Sequence, residues 1–467
     1  MRTVELRGEE RLSKKDLART GALPREVMDS AQAIVDDVRE RGDVAVREYC
    51  QRFDGACPSE FRVPDEVVRG ALDMVDPEFL SSLRKAYDQI RDFHEREREQ
   101  SWFTTKPDGT ILGVKVTPVP SVAVYVPGGR AQYPSTVLMD TIPAKVAGVP
   151  RVVMVTPPQR DGSLSAYTLA AAAVAGVDEV YAVGGAQAIG AVAYGTQSIP
   201  AVSKVVGPGN AYVAAAKRYV SGDVGIDMVA GPSEVCVLAD ATADPAIVAA
   251  DLMAQAEHDP MAACYLVTDD PTLPGRVFPA IEALVSQSPR EEITRASLDG
   301  KGLCVACDSL DAAIDAVNLI APEHLELHCA DAFSLLGRIQ NAGAIFVGPW
   351  SSEPLGDYVA GPNHTLPTGG TALFSNPLGV YDFQKRSSVI GYTPEGLLAD
   401  APAVQALAQA EGLWAHALSV GMRRKLLAEG GDNFADVTEA CADAMQTVWP
   451  RKLEEPGRPV LSGYESR

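Results

Sequence analysis

The sequence predicts an α/β protein built from two Rossmann-like parallel-sheet domains and a small C-terminal segment. Two observations support this prediction. Strand-like apolar runs alternate with helix-like runs in a block that begins at Ser121, and the alternation starts again near Val235. Such alternation is typical of a parallel sheet with helices on its faces. The length of 467 residues leaves room for two to three domains with sizeable cores.

The N-terminal part of the chain comes before both blocks. Residues 1–24 are polar and are predicted to form an arm. From Pro24 to about Gln100, apolar residues recur every three to four positions, which is typical of amphipathic helices. Lys106-Pro-Asp-Gly-Thr110 is a turn between two strand-like runs and predicts a hairpin.

The two alternating blocks predict the core of each domain. The strands of the first block are predicted at Val122–Tyr125, Val152–Val155, Glu179–Val183 and Val202–Val206, with helices from about Ser135, Ser165, Ala186 and Asn210. The strands of the second block are predicted at Val235–Leu238, Cys264–Val267, Cys304–Ala306 and Ala344–Val347. We therefore assign residues 121–232 to one Rossmann-like domain, and residues 25–120 together with 233–373 to the other.

The C-terminal part of the chain does not continue this alternation. Residues 374–431 form a mixed segment, with a predicted helix from about Ala401 that carries Glu411 and His416. Residues 432–467 form an extension, with an amphipathic helix near Phe434–Val448 and a Pro-rich polar tail. We predict that this extension is a packing appendage without chemistry of its own.

Composition and charge limit the partners. A formal net charge of -21 argues against nucleic acid or an anionic membrane, because phosphate groups would be repelled. No apolar run is long enough to span a bilayer, and the N-terminus lacks the apolar core of a signal peptide. We therefore expect a cytoplasmic protein. Cys304 and Cys307 form a C-x-x-C in a strand-like run, and we interpret them as small core residues in a reducing compartment.

Three glycine-rich turns follow strands of the first block, at Tyr125–Gly129, Gly184–Gly190 and Gly207–Asn210. The carboxyl ends of parallel strands form a ligand crevice, and glycines let the backbone approach a phosphate. None of the turns is the G-x-G-x-x-G fingerprint, so each alone is equally well explained as a tight turn. Together they favour a nucleotide cofactor, which Tyr125, Gln187 and Asn210 could bind.

Two further stretches carry candidate catalytic chemistry. Gln255 and His258 lie near the predicted end of a helix that Pro260 stops, and they could hold a metal ion from one helix face. A solvated helix face is the ordinary alternative. Glu323 and His324 stand side by side before a strand, where a carboxylate and an imidazole could share proton transfers. Ordinary polar residues at a helix end explain that pair equally well.

Long segments of the chain, together with these stretches, resemble the histidinol dehydrogenases from about Ala31 to about Arg424. The resemblance rests on seven segments: Val126–Arg130, Val206–Val213, Gly225–Glu234, Gln255–Pro260, Pro322–Glu326, Gly356–Thr368 and Glu411–His416. It implies an NAD-dependent enzyme that oxidises L-histidinol to L-histidine through L-histidinaldehyde, with one zinc ion per subunit. It also implies a homodimer with intertwined C-terminal segments.

The resemblance implies a role for each matching residue. The zinc ligands would be Gln255, His258, Asp357 and His416, and the proton acceptors would be Glu323 and His324. The substrate would contact Ser233, His364 and Glu411, in addition to the four zinc ligands and His324. The cofactor would contact Tyr125, Gln187 and Asn210. Glu411 and His416 would come from the neighbouring subunit. Cys236 has no counterpart role in the family, and we interpret it as a packing residue.

Three alternatives remain open from the sequence. A zinc hydrolase could use the same ligands to activate water, but it would not need the three glycine-rich strand ends. A related zinc- and NAD-dependent dehydrogenase could act on another small alcohol. A binding protein could retain the fold without activity, although the complete set of catalytic positions argues against it.

Overall fold

The computed structural model describes residues 1–17, 19, 23–128, 132–430, 439 and 442. The chain divides into two compact units. The main unit comprises Met1–Glu99 and Thr117–Lys385, and the small unit comprises Gln100–Val116 and the chain from Arg386 onward. The predicted helix near Phe434–Val448 and the polar tail lie outside the described residues, apart from the isolated positions 439 and 442. Among the described residues, no helix is long and apolar enough to cross a bilayer.

The secondary structure alternates as the sequence predicts. The strands are β1 (Arg2–Leu6), β2 (Arg62–Val63), β3 (Trp102–Thr105), β4 (Ile111–Pro118), β5 (Val122–Tyr125), β6 (Val152–Thr156), β7 (Glu179–Ala182), β8 (Lys204–Val206), β9 (Gly225–Ile226), β10 (Glu234–Ala239), β11 (Ala263–Thr268), β12 (Leu303–Cys307), β13 (His324–His328), β14 (Ala344–Val347) and β15 (Gln384–Gly391). The helices are α1 (Arg25–Arg41), α2 (Asp43–Tyr49), α3 (Asp65–Gly70), α4 (Pro77–Glu95), α5 (Pro134–Val146), α6 (Ala166–Ala175), α7 (Gly185–Tyr194), α8 (Ala211–Val220), α9 (Pro245–Ala256), α10 (Leu273–Val285), α11 (Glu291–Gly300), α12 (Leu310–Ile320), α13 (Glu353–Tyr358), α14 (Pro394–Glu411) and α15 (Trp414–Glu429).

The first sheet of the main unit has the order β2-β7-β6-β5-β8-β9 and is parallel except for β2. Helices α1, α2, α7 and α8 cover one face, and α3, α4, α5 and α6 cover the other. The assignment of residues 25–120 to the second domain is therefore wrong for helices α1 to α4, which pack on the first sheet. Amphipathic spacing shows which side of a helix is buried, but it does not show which sheet buries it.

The second sheet has the order β1-β12-β11-β10-β13-β14 and is entirely parallel. Helices α9, α10 and α11 cover one face and α12 covers the other. The prediction of a plain N-terminal arm for residues 1–24 is wrong in part, because β1 forms an edge strand that pairs with β12. The strand is mostly exposed, so its polar residues gave no alternating apolar signal.

The small unit contains the predicted hairpin and the C-terminal helices. Strands β3 and β4 flank the turn, and β15 adds to the far edge of β4. Gly109 takes a φ of 81° in that turn, a conformation that glycine adopts without strain. The predicted single helix from Ala401 is instead the helix pair α14 and α15, which pack together. Gly412 ends α14 in the left-handed conformation, so Glu411 and His416 lie on different helices.

Candidate active site

A cavity of about 1150 Å³ opens where the strands of the first sheet end. Tyr125 from β5, Gln187 from α7 and Asn210 in front of α8 all line it. Strand β5 lies between β6 and β8, so the order of strands reverses at this point, where open parallel sheets bind ligands. The structure therefore brings the three predicted cofactor residues to one cavity that is large enough for a dinucleotide.

The three side chains differ in how much they are already engaged. The Tyr125 hydroxyl accepts a hydrogen bond from the Gly185 N–H at 3.0 Å, and burial raises the pKa of Tyr125 to about 12. Asn210 Oδ1 accepts the first N–H groups of α8. Gln187 is buried, yet its Nε2 has no hydrogen-bond partner among the described residues. A buried amide without a partner is the donor that an absent ligand would use.

The cavity also contains residues that the sequence did not suggest. Asp54, Arg52 and Arg160 line it. Asp54 ends the π-helical turn Cys50–Asp54, and burial raises its pKa to about 6. Such turns are often found at functional sites. A short π-turn at the end of α2 leaves no periodic signal that could have identified it from the sequence.

The Gly207 turn beside this cavity is held by buried charges. The Gly207 N–H donates to Asp227 Oδ2 at 2.8 Å, and Lys217 Nζ donates to the Gly207 carbonyl at 2.7 Å. Gly207 has a φ of 108°, and a Cβ there would collide with the Tyr125 carbonyl. The turn therefore requires glycine and a paired lysine, which fixes the backbone that leads to Asn210.

Asp140 on α5 lies beside this turn and is fully buried. Thr365 Oγ1 donates to its Oδ1 at 2.8 Å, and burial raises the pKa of Asp140 to about 8. An unfolded aspartate titrates near 3.9. Between these two pKa values, Asp140 holds a proton in the folded protein but releases it in the unfolded chain. The contribution of Asp140 to the free energy of unfolding therefore falls as the pH rises, and it stops changing above about pH 8.

The Asp140→Asn variant should lose this pH dependence, because an amide mimics the protonated carboxyl group. Between pH 5 and 7, the free energy of unfolding of the variant minus that of the wild type should rise by about 1.4 kcal/mol for each pH unit. Urea unfolding of both proteins at several pH values measures the difference. A difference that stays constant with pH would show that Asp140 is ionised in the folded state.

A second group of polar side chains lies at the amino ends of β10 and β13. Glu323 is buried, and its Oε2 accepts the Glu234 N–H at 2.8 Å. His324 Nδ1 lies 3.0 Å from the Glu234 carbonyl oxygen and 3.1 Å from Gln255 Oε1. Since both of these neighbours are acceptors, the ring proton belongs on Nδ1. Nε2 then carries the lone pair, and it has no hydrogen-bond partner among the described residues.

Burial sets the protonation of this pair. It raises the pKa of Glu323 well above its ordinary value, assisted by the charges of Glu234, Glu353 and Asp357. It lowers the pKa of His324, although Asp357 acts in the opposite direction. A neutral imidazole beside a carboxyl group with a raised pKa is an arrangement suited to general acid–base catalysis.

The ligand atoms of His258, Glu353 and Asp357 all lie within 4.8 Å of one another. Glu353 and Asp357 are four residues apart on α13, so they share a helix face. Gln255 is fully buried at the end of α9, beside His324. The prediction that Gln255 and His258 share a face of one helix is wrong for His258. Helix α9 ends at Ala256, and His258 lies in the turn beyond it, ahead of Pro260.

The remaining predicted residues lie in three places. His364 Nδ1 is 3.0 Å from the Asp357 carbonyl oxygen, and the ring lines a cavity of about 540 Å³ with His324 and Asp357. Ser233 directly precedes β10 and is partly exposed. Glu411 and His416 belong to the small unit, where both are exposed. The main unit thus gathers Gln255, His258, Glu323, His324, Asp357 and His364.

The model of the histidinol dehydrogenase family matches residues 17–424 of this chain. The chain belongs to the histidinol dehydrogenase family. It is 50% identical over 396 residues to the histidinol dehydrogenase of Bacillus licheniformis, covering 85% of this chain and 93% of that protein. It is 48% identical over 429 residues to the Bacillus subtilis enzyme, covering 92% of this chain and 100% of that protein. The resemblance predicted from the sequence is therefore confirmed.

A solved structure supports the fold of this histidinol dehydrogenase family member. The crystal structure of histidinol dehydrogenase from Elizabethkingia anophelis superposes with a TM-score of 0.87 at 34% identity. The match covers 92% of this chain and 99% of that one. The predicted α/β fold class with Rossmann-like parallel sheets is thereby confirmed.

Glu353 and the buried cysteines lie outside the predicted site residues. The sequence analysis did not predict a role for Glu353, although its i, i+4 spacing to Asp357 was visible in the sequence. Cys236 lies in the core strand β10, and burial raises the pKa of its thiol, which disfavours the thiolate form that a nucleophile needs. The predicted packing role for Cys236 agrees with this position. Cys304 and Cys307 are buried free thiols in β12.

Proposed function

We propose that this chain oxidises L-histidinol to L-histidine in two successive NAD-dependent steps, with a zinc ion that holds the substrate. Membership of the histidinol dehydrogenase family makes the chain an oxidoreductase of histidine biosynthesis. The observation that supports the mechanism best is the buried Glu323–His324 pair, in which His324 Nε2 has no hydrogen-bond partner among the described residues. Both oxidation steps need a base that accepts a proton as hydride leaves.

The donors near His258 suit zinc. An imidazole from His258 and a carboxylate from Asp357 converge, and Gln255 lies at the neighbouring helix end. We propose that these three residues and His416 hold the ion. When bound, zinc would supply a positively charged anchor for the amine and imidazole nitrogens of L-histidinol. Ser233, His364 and Glu411 would complete the substrate contacts.

The cavity at the ends of the first sheet is the proposed NAD site. Its three predicted residues, Tyr125, Gln187 and Asn210, line the same cavity, and the buried Gln187 Nε2 has no hydrogen-bond partner among the described residues. The nicotinamide ring of NAD, when bound, accepts the hydride. The protein contributes the position of the ring and the exclusion of water around it.

His324 acts in the first step. Its Nδ1 donates to the Glu234 carbonyl, which fixes the ring and leaves Nε2 as the base. Nε2 would take the proton of the substrate hydroxyl as the carbinol carbon gives up hydride, which leaves L-histidinaldehyde and a protonated His324. The lowered pKa of His324 keeps the ring neutral before this transfer.

Glu323 acts between the two steps. In its ionised form it would take a proton from water as the oxygen of that water adds to the aldehyde carbon. Protonated His324 would return its proton to the aldehyde oxygen, which gives the hydrate and restores the neutral imidazole. The Glu234 N–H holds the carboxylate at 2.8 Å for this role. Because its pKa is raised, the ionised group is a stronger base than an exposed glutamate. With a second NAD bound, the hydrate would give up hydride and one proton would go to His324, which leaves the carboxylic acid. That acid would lose its remaining proton to solvent, as would Glu323 and His324, to give the carboxylate of L-histidine.

The active site is proposed to be shared between two subunits of a homodimer. Glu411 and His416 are exposed on the small unit and are therefore available to another chain. Their roles follow from the family resemblance, and so does the intertwining of the C-terminal segments. We further propose a cytoplasmic location, because the described cysteines are free thiols, as is usual in a reducing compartment.

Reduction of NAD with L-histidinol tests the proposal. We expect turnover with L-histidinol and a loss of at least about a hundredfold after treatment with a chelator, with recovery when zinc is restored. L-leucinol is the matched control, because it has the same amino alcohol but no imidazole. Equal turnover of both alcohols would favour the alternative, a related dehydrogenase that acts on another small alcohol. Full activity without metal would contradict the zinc anchor.

A further inference from the structure

We propose that Arg19 is a positioning residue for the active site, because it fixes Glu234, whose backbone holds both Glu323 and His324. The inference rests on the function proposed above for Glu323 and His324. Arg19 belongs to residues 1–24, which the sequence predicted to be a plain arm. None of the roles implied by the family resemblance falls on Arg19.

The backbone of Glu234 contacts both proposed proton acceptors. Its N–H donates to Glu323 Oε2 at 2.8 Å, and its carbonyl oxygen accepts from His324 Nδ1 at 3.0 Å. The carboxylate that would activate water and the ring that would accept the substrate proton are therefore both located by this residue. A misplacement of about 1 Å in an active site can cost about a hundredfold in rate, so a shift of Glu234 should impair both oxidation steps.

The side chain of Glu234 lies on the other face of the sheet. Val235 pairs with His324 across β10 and β13, so the side chains of Glu234 and His324 point to opposite faces. Two residues after Glu234, Cys236 packs in the same core cluster as Tyr265 of β11. Because Arg19 binds Glu234 on this face, it can act on the active site only through the main chain.

Arg19 binds the Glu234 carboxylate with two parallel hydrogen bonds. Nε donates to Oε1 at 2.7 Å, and Nη2 donates to Oε2 at 2.6 Å. The guanidinium carbon also lies 5.8 Å from the centre of the Tyr265 ring. A two-pronged contact of this kind fixes the orientation of a carboxylate as well as balancing its charge.

Glu234 depends on Arg19 because its carboxylate is buried. The side chain of Glu234 is 4% exposed and that of Arg19 is 17% exposed. Burial raises the pKa of Glu234, whereas Arg19 and the Gly369 N–H favour its ionised form. Without Arg19 the carboxylate loses its cationic partner, and a buried charge in this condition is strongly destabilising. The first residue of β10 is then free to shift or to rotate its side chain toward water.

The loop Thr368–Gly370 is shaped to receive this ion pair. A Cβ at Gly370 would lie 2.6 Å from Arg19 Nη1, and Gly370 has a φ of 83°. Thr368 Oγ1 accepts the Gly231 N–H at 2.6 Å. The loop therefore contacts both Arg19 and the segment that leads into Glu234, so the guanidinium is held from two sides.

The rival explanation is that Arg19 only attaches the N-terminal segment to the sheet. Its loss would then lower stability without slowing the folded enzyme. The chain offers a matched control, because Arg151 binds Glu179 in the same way, with Nε–Oε1 at 2.7 Å and Nη2–Oε2 at 3.1 Å. Arg151 directly precedes β6, at the end of the strand opposite to the proposed NAD cavity.

Steady-state kinetics of the full-length protein test the inference. In Arg19→Ala and Arg19→Lys, kcat with L-histidinol and with L-histidinaldehyde should both fall by about tenfold to a hundredfold, with much smaller changes in KM. Lysine keeps the charge but cannot form the two-pronged contact. Arg151→Ala should be less stable in thermal unfolding but should keep its kcat. Guanidinium chloride, well below the concentrations that unfold the protein, should restore part of the kcat of Arg19→Ala and should not raise that of the wild type.

Wild-type kcat in folded Arg19→Ala would overturn the inference, and Arg19→Lys decides in the same way if the alanine variant does not fold. A fall in kcat that Arg151→Ala shares, or one that guanidinium does not reverse in folded Arg19→Ala, would leave Arg19 with a structural role only. Absence of turnover of L-histidinol by the wild type would contradict the proposed function itself, which separates the two failures.

Discussion

The His324→Asn variant should oxidise L-histidinol about a hundredfold to ten-thousandfold more slowly than the wild type, the range expected for losing a general base. The asparagine side chain can still place an amide near the Glu234 carbonyl oxygen, but it has no basic nitrogen at the position of His324 Nε2. Affinity for NAD should be unchanged, because the proposed cofactor residues line a different cavity. Steady-state NADH formation with L-histidinol and with L-histidinaldehyde measures the effect.

Glu323→Gln should separate the two steps. Glutamine can still accept the Glu234 N–H at the same place, so the backbone there should be undisturbed. It cannot take a proton from water, so aldehyde oxidation should fall much more than alcohol oxidation. Each variant serves as the control for the other, because both alter buried neighbours on the same strand end. Near-normal rates with both substrates in both variants would remove Glu323 and His324 from the mechanism.

The second large effect concerns the shared site. His258→Ala and His416→Ala homodimers should each be inactive, because each lacks one proposed zinc ligand at every site. When the two proteins are denatured together and refolded, about half of the dimers should be mixed. If His416 acts in the partner's site, a mixed dimer collects both defects in one site and neither in the other. Refolding should then restore up to about a quarter of wild-type activity.

The controls for this experiment are direct. Each variant refolded alone should stay inactive, and a tag on one variant should show that mixed dimers have formed. Absence of recovery in the presence of mixed dimers would place His258 and His416 in the same chain's site. The expected recovery does not depend on the rate of the chemical step, since one of the two sites in a mixed dimer is complete.

The parallel sheets could be predicted because buried parallel strands leave a strong local signal. Val122–Tyr125 and Val152–Thr156 are continuous apolar runs between helices, and the structure buries every residue of both. Strand β1 left no such signal, because it lies at an edge where only Leu6 is buried. The pairing of α1 and α4 with the first sheet was also not predictable, since packing partners are set by tertiary contacts.

The active site was predictable only as far as local patterns and the family resemblance allowed. The adjacent pair Glu323 and His324 could be read from the sequence, but its burial and the free Nε2 could not. The position of Glu353 beside His258 depends on how α13 packs near the end of α9, which its spacing to Asp357 alone does not reveal. His258 was placed on a helix because its spacing to Gln255 fits one, whereas the helix ends two residues earlier.

The number of NADH molecules formed per molecule of L-histidinol consumed tests the central claim most directly. Limiting L-histidinol is incubated with excess NAD, and NADH and L-histidine are quantified at completion. The two-step mechanism at Glu323 and His324 predicts two NADH and one L-histidine for each L-histidinol in the wild type. A single NADH with accumulation of the aldehyde in the wild type would contradict it.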